Sequence, residues 1–235
     1  MGRQGEPRRD NAQRAHTSSL MNPLAAWGSL ALSLLLILSY EVHAHLVSRR
    51  DPTHQARFIN SHMRVAWVQA MSAQPGFEIV AVQALRNSLM SATVVASTAA
   101  LALMASLTLG GASLASSLAQ PPGEGTMLLH VLLGAGAVGL LFASFVCSAM
   151  SMRYFGNASL VVSMPVASRE RQRLNPLATH YVQRAGHLYS WSLRLFLMVV
   201  PVVAGIVHPL SLVPAALALL VALRFFDQPT PVEIG

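Results

Sequence analysis

The residues whose types and spacing could support chemistry sit in the second of four apolar stretches. On a helix, Gln83, Asn87, Ser91 and Thr98 share one face, and Arg86, Thr93 and Ser97 share the adjoining one. Arg86 falls about 10 Å beyond Ile79, where that stretch begins, at the rise of an α-helix. An arginine at that depth in hydrocarbon must snorkel, pair or face protein, and an ionisable group inside a span is a functional-site candidate on that ground. Arg194 lies at a comparable depth in the fourth stretch. The acids that could answer the two arginines are Glu41, at the end of the first stretch, and Glu78, at the mouth of the second. Arg153, Asn157 and Tyr189 belong to the same side of the chain. The candidate polar or ligand cluster is therefore Gln83, Arg86, Asn87, Arg153, Asn157, Tyr189, Arg194, Glu41 and Glu78. Its excess of arginine suits an anionic guest, either a small solute or a lipid headgroup. Two plainer readings compete with it. Polar side chains in spans commonly hydrogen-bond neighbouring helices, and arginines near span ends commonly form a snorkelling ring.

Other chemistries find little support. His43 and His45 are two apart and point to opposite helical faces, His130 ends a stretch, and His208 lies in a turn; no His-x-x-x-His or Cys-x-x-Cys occurs. Haem and metal sites are not expected, and no cofactor is. A Gly-rich phosphate loop, a Gly-x-Ser-x-Gly elbow and a mid-span carboxylate pair are all missing, so no catalytic residue is assigned. Gly139, Ala143, Cys147 and Ser151 repeat every four residues, with Gly136, Leu140, Ser144 and Ser148 on the neighbouring stripe. Small residues at this interval let helices approach closely, so the expectation is a packing face on which Cys147 acts as a small hydrophobe.

The elements that must position these residues follow from composition. Of the 235 residues 53% are hydrophobic and 11% charged, with a mean hydropathy of +0.49, too apolar for a water-soluble domain of this length. A crossing needs about 20 apolar residues for a hydrocarbon core of ~30 Å. Suitable runs are Leu24–Val42, Ile79–Leu109, Met127–Met152 and Leu188–Phe226. The expected fold is all-α, an integral membrane helical bundle.

All 16 basic residues are arginine. They concentrate in Ser48–Glu78 (Arg49, Arg50, Arg57, Arg64) and after the third run (Arg153, Arg169, Arg171, Arg173, Arg184), whereas Gly110–Thr126 has none. The positive-inside rule puts the two arginine-rich segments in the cytoplasm and the N-terminus outside. The net charge of +7 is thus read as orientation and not as nucleic-acid binding. The first run, ending in Val42-His43-Ala44, also resembles a signal peptide, but cleavage there would export both arginine-rich segments.

The last run is too long for one crossing. Splitting it at His208-Pro209 gives five transmembrane helices, the last two a Pro-broken hairpin; a single kinked fourth span is the alternative. In the first arginine-rich segment Asp51 and Pro52 start a helix in which Ile59, Met63, Ala66, Trp67 and Ala70 oppose Arg57, Asn60 and Arg64. It is expected to be a cytoplasmic interfacial amphipathic helix, stopped at Pro75-Gly76. The segment between spans at Tyr154–His187 also looks structured, with two Pro residues and the cluster Arg169-Glu170-Arg171-Gln172-Arg173, and its helical content is open. The domain division is a disordered arginine-rich tail over 1–20, a single transmembrane helical domain over 21–226 and a short tail over 227–235; Met21 would serve equally well as an initiator.

Several of these residues carry a resemblance. Arg64-x-x-Trp67, the run Ala81-Val82-Gln83-Ala84-Leu85-Arg86-Asn87-Ser88-Leu89-Met90-Ser91-Ala92-Thr93 and Ala96-Ser97-Thr98-Ala99 resemble the signature of a bacterial multi-pass membrane-protein family catalogued as domain of unknown function number 599. Phe142-x-x-Phe145 through Arg153-Tyr154-Phe155-Gly156-Asn157 is similar to its second pattern, and Leu174-Asn175 with Gly186-x-x-Tyr189 to a third. His187 departs from the arginine expected beside that glycine. The resemblance implies a multi-pass membrane fold and no established activity, catalytic residue or cofactor; the location expected for the chain is a bacterial inner membrane.

The functional expectation is a non-enzymatic accessory, assembly or structural membrane component. Its expected partners are membrane lipids of anionic kind, a protein partner or a second copy of the chain. The alternative is a small-solute or anion transport protein using the Arg86/Asn87 cluster, and an enzyme ranks third.

Overall fold

The computed structural model describes residues 23–50, 56–118 and 125–227. Its regular elements are α1 (Pro23–Arg50), α2 (Ala56–Ala73), α3 (Glu78–Leu118), α4 (Gly125–Val162), α5 (Arg169–Val207), a short 3-10 turn (Pro209–Ser211) and α6 (Leu212–Asp227). Among the described residues no strand occurs. Four of the helices, α1, α3, α4 and α5, are long and apolar enough to cross a membrane. Only a helix or a closed barrel satisfies its backbone in hydrocarbon, and runs rich in Ala and Leu choose the helix. The expected tail over 1–20, the expected tail over 227–235 apart from Asp227, and the Asp51-Pro52 helix start lie outside the described residues.

The helices outrun the apolar stretches that announced them. α3, α4 and α5 have 41, 38 and 39 residues. At ~1.5 Å per residue each is about 57–61 Å long, roughly twice the thickness of a hydrocarbon core. Each is therefore longer than one crossing needs. Their charged portions, the projecting layer, gather at the end where α2 packs: the start of α3, the end of α4 from Arg153, and the start of α5 up to His187. Tyr154–His187 is thus a helical hairpin, with only Ser163–Ser168 between its two arms.

In this projecting layer Val68 of α2, Ala81 and Leu85 of α3, Phe155 and Val162 of α4, and Val182 of α5 share one core. Farther along, α4 lies between α3 and α5 and buries a continuous stripe, Leu133, Ala137, Leu141, Ser144, Ser148 and Ser151. This differs from the expected small-residue face: Gly136 and Gly139 are exposed and Cys147 is half-buried. Hydroxyls need acceptors, so it is the serines that turn inward, whereas glycine can face outward at no electrostatic cost.

The chain reverses at His208-Pro209. His208 is extended at φ −153 and ψ 119, and α6 then returns beside α1, its residues 217–224 facing Leu36–His43. At the turn the Ser29 hydroxyl donates to the carbonyls of Ala26 and Pro209, both at 2.8 Å. A side chain at Gly205 would meet Leu212 at 2.5 Å, so the missing Cβ is what lets α6 fold back so closely. The apolar run is therefore a hairpin and not one kinked helix. Pro201, by contrast, sits inside α5 without ending it. α6 has 16 residues, about 24 Å of helix, shorter than a full crossing by itself.

α2 forms but is rotated from the expected face. Of that face Met63, Ala66 and Ala70 are exposed and Trp67 is half-buried against the core, while Val68 is buried and Arg64, Met71 and Ser72 are half-buried. The physical reason is that α5 offers this side of α2 polar partners as well as apolar ones: Gln183 donates to Ser61 at 3.3 Å and Arg171 donates to Ser72 at 3.2 Å. Gly76, at φ +91, closes the helix in the order Pro-Gly that a type II turn requires.

Candidate functional site

The nine residues singled out in the sequence separate into distinct surroundings. Gln83, Arg86 and Asn87 occupy the first turns of α3, which lie in the projecting layer, and all three are exposed. α3 packs with Ala81, Leu85, Ala92, Ala96 and Ala99, whose spacing sets the polar face on the opposite side. Arg153 is exposed and Asn157 half-buried. The two acids are taken by different arginines.

Glu41 pairs with Arg194. Nη1 of Arg194 donates to Oε1 at 3.0 Å, with the two side chains 7% and 21% exposed, and the bridge joins the second half of α1 to the second half of α5. Burial at that level makes pairing obligatory for both charges. Beside it α4 and α5 are laced by hydroxyls. Ser148 and Ser192 share a hydrogen bond of 2.6 Å, Ser192 and Ser144 each donate to the other's carbonyl at 2.9 Å, and Ser151 donates to the Ala185 carbonyl at 2.8 Å.

Glu78 does a different job. Its carboxylate accepts from the backbone N–H of Gly76 at 2.8 Å and of Val166 at 3.2 Å, tying the α2–α3 turn to the α4–α5 turn. It also attracts Arg171. Arg171, which sequence reasoning placed only within a charged run, is fully buried. Its guanidinium donates to the Val161 carbonyl, to Asn175 Oδ1 at 2.7 Å and to Ser72 Oγ, so one side chain joins α2, α4 and α5. The signal was available: Arg171, Asn175, Ala178, Val182 and Ala185 recur at helical spacing, which puts this arginine, unlike Arg169 and Arg173, on the apolar stripe.

Tyr189, the remaining candidate, lines a cavity of about 440 Å³ between α2, α3, α4 and α5. Its walls are chiefly apolar (Met63, Trp67, Leu85, Phe155 and Val182), with Ser88, Ser91, Tyr189 and Arg64 as the polar groups. Arg64 lies flat on the backbone of Gly186, filling the space that a Cβ there would claim. Burial draws this guanidinium below its ordinary pKa without removing its charge. Among the described residues no hydrogen bond or ion pair reaches it. One level outward Arg184 stacks 5.8 Å from the Tyr154 ring centroid, and Trp191 donates to His187 Nε2 at 3.0 Å. Among the described residues no three His, Cys, Asp or Glu gather in a way that could hold a metal ion.

Two motif residues, Arg64 and Gly186, thus meet in space although 122 positions separate them in the sequence. A family model described as "Protein of unknown function, DUF599" matches residues 29–232. The chain belongs to this family. The DUF599 match spans every helix described above except the first turns of α1, and so takes in the cavity, the Arg194–Glu41 pair and the Arg171 knot. No curated protein and no solved structure matches the chain.

Proposed function

We propose that this DUF599 chain is a non-enzymatic, multi-pass structural or assembly component of the bacterial inner membrane. One observation carries the reading: the polar side chains buried in the bundle satisfy one another. Arg194 is held by Glu41, Ser192 by Ser144 and Ser148, and Arg171 by Val161, Asn175 and Ser72. A transport path needs such groups to face a shared water-filled channel. Gln83, Arg86 and Asn87 instead face away from the bundle, which weighs against the anion-transport alternative.

In this reading the chain crosses five times, α6 being the short fifth helix, with the N-terminus outside and the arginine-rich layer in the cytoplasm. The outward Met63, Ala66 and Ala70 of α2 then rest on the membrane interface beside Trp67, a residue at home there. A reporter fused after Arg173 is expected to report the cytoplasm, and one after Gly123 the outside; the reverse pattern would refute the orientation. For the function itself, mild-detergent capture of the tagged full chain is expected to return a reproducible partner or a second copy. Proteoliposomes of the purified chain that accumulate inorganic phosphate, and lose this with Arg194→Gln, would overturn it in favour of transport.

A further inference from the structure

We infer that the Arg64 cavity is a binding site for an amphiphile with an anionic head and an acyl chain. The inference rests on the membrane placement proposed above. Four features of the site lead to it. The cavity's volume of about 440 Å³ lies in the range of small-ligand sites, and its walls are mostly apolar. The charge inside it belongs to Arg64, a half-buried guanidinium that no acceptor among the described residues answers, in contrast to Arg171 and Arg194 in the same molecule. A desolvated cation with free donors selects a phosphate or carboxylate, which its planar fork can grip with two parallel hydrogen bonds.

Position supplies the other two features. The cavity lies where the projecting layer meets the apolar halves of the helices: Leu85, Phe155 and Val182 belong to the layer's core, while Ser91 and Tyr189 open the apolar portions of α3 and α5. A basic pocket between helices at that depth is placed to receive a headgroup while the chain stays in hydrocarbon. Its rim on α2 is formed by Met63 and Trp67, next to the face of α2 that packs on no helix. Ser88, Ser91 and Tyr189 also line the cavity, the two serine hydroxyls donating to carbonyls of their own helix. Gly186 is part of the site, since a side chain there would displace the guanidinium.

The test is native mass spectrometry of the full chain released from mild detergent, titrated separately with dioleoyl-phosphatidylglycerol, dioleoyl-phosphatidylcholine and oleate. One equivalent of an anionic probe is expected to bind at least about tenfold more tightly than phosphatidylcholine, whose quaternary ammonium cancels the charge of its phosphate and is repelled by the guanidinium. Preference for phosphatidylglycerol identifies a membrane phospholipid as the guest, and preference for oleate a free fatty acid. Arg64→Gln should weaken anionic binding about tenfold or more, Arg64→Lys less, and Arg86→Gln not at all. Gly186→Ala moves the guanidinium while retaining its charge and should weaken binding too, which keeps the test decisive if Arg64→Gln folds poorly. Equal binding of phosphatidylcholine, or unchanged binding in both Arg64→Gln and Gly186→Ala, would overturn the site. A folded, detergent-soluble chain that binds no probe would do the same, and would leave the membrane placement standing.

Discussion

The projecting layer and the middle of the bundle are held together differently. Around Arg171 the chain buries large side chains, Val68, Phe155, Val162 and Val182, with one arginine joining three helices. Between α4 and α5 it buries Ala137, Leu141 and the serines Ser144, Ser148, Ser151 and Ser192, whose hydroxyls bond one another and the carbonyls of the facing helix. Water explains the difference. In the membrane placement proposed above, the layer lies beyond the hydrocarbon, where the hydrophobic effect rewards bulk, and it is built like a soluble core. Inside hydrocarbon lipid is as apolar as leucine, and association falls to close packing and hydroxyl bonds. The lesson for arginine is that sequence depth does not decide burial: Arg86, about 10 Å into its apolar run by counting, is exposed, and Arg171, in a charged segment, is fully buried.

Three substitutions can break or sharpen that contrast. Arg171→Met should be the most damaging, because it orphans the Val161 carbonyl and Asn175 in a dry core. A loss of about 3 kcal/mol or more is expected, seen as a drop of roughly 6 °C or more in the unfolding midpoint in detergent. A loss under about 1 kcal/mol would mean that the layer does not depend on its arginine. Ser192→Ala removes one link of the hydroxyl lacing and should cost about 0.6–1.7 kcal/mol, the range for such bonds between membrane helices. If it matched Arg171→Met, the two regions would not differ in kind. Arg86→Gln should fall within about 0.5 kcal/mol of the parent, as an exposed position does. Strongly reduced folded yield for that variant would show that its face is covered in the assembled protein.

Much of the architecture was legible. The apolar runs located the four long helices, the break at His208-Pro209 marked the hairpin, and Pro75-Gly76 marked the end of α2. Each of these is a local property: hydropathy over twenty residues, a missing N–H, a glycine free to take positive φ. The extent of the helices was less legible, because charged residues continue a helix as well as apolar ones do once water can solvate them, as Arg169–His187 does in α5. The candidate cluster was legible only in part: the Arg194–Glu41 pair and Tyr189 beside a cavity are found, while Glu78 serves the turns and Gln83, Arg86 and Asn87 face outward.

By itself the sequence determined that the chain is helical and membrane-bound, where its apolar runs begin, and that its motifs are those of DUF599. Those are questions of solvent preference and of residue type, answered within a window. Only the tertiary structure decided which face each helix turns inward, and hence that Arg171 is dry, that Arg86 is not, and that Arg64 rests on Gly186 at the wall of a cavity. Facing is set by the neighbour a helix finds and the hydrogen bonds that neighbour can return. No stretch of α2 read alone contains Gly186.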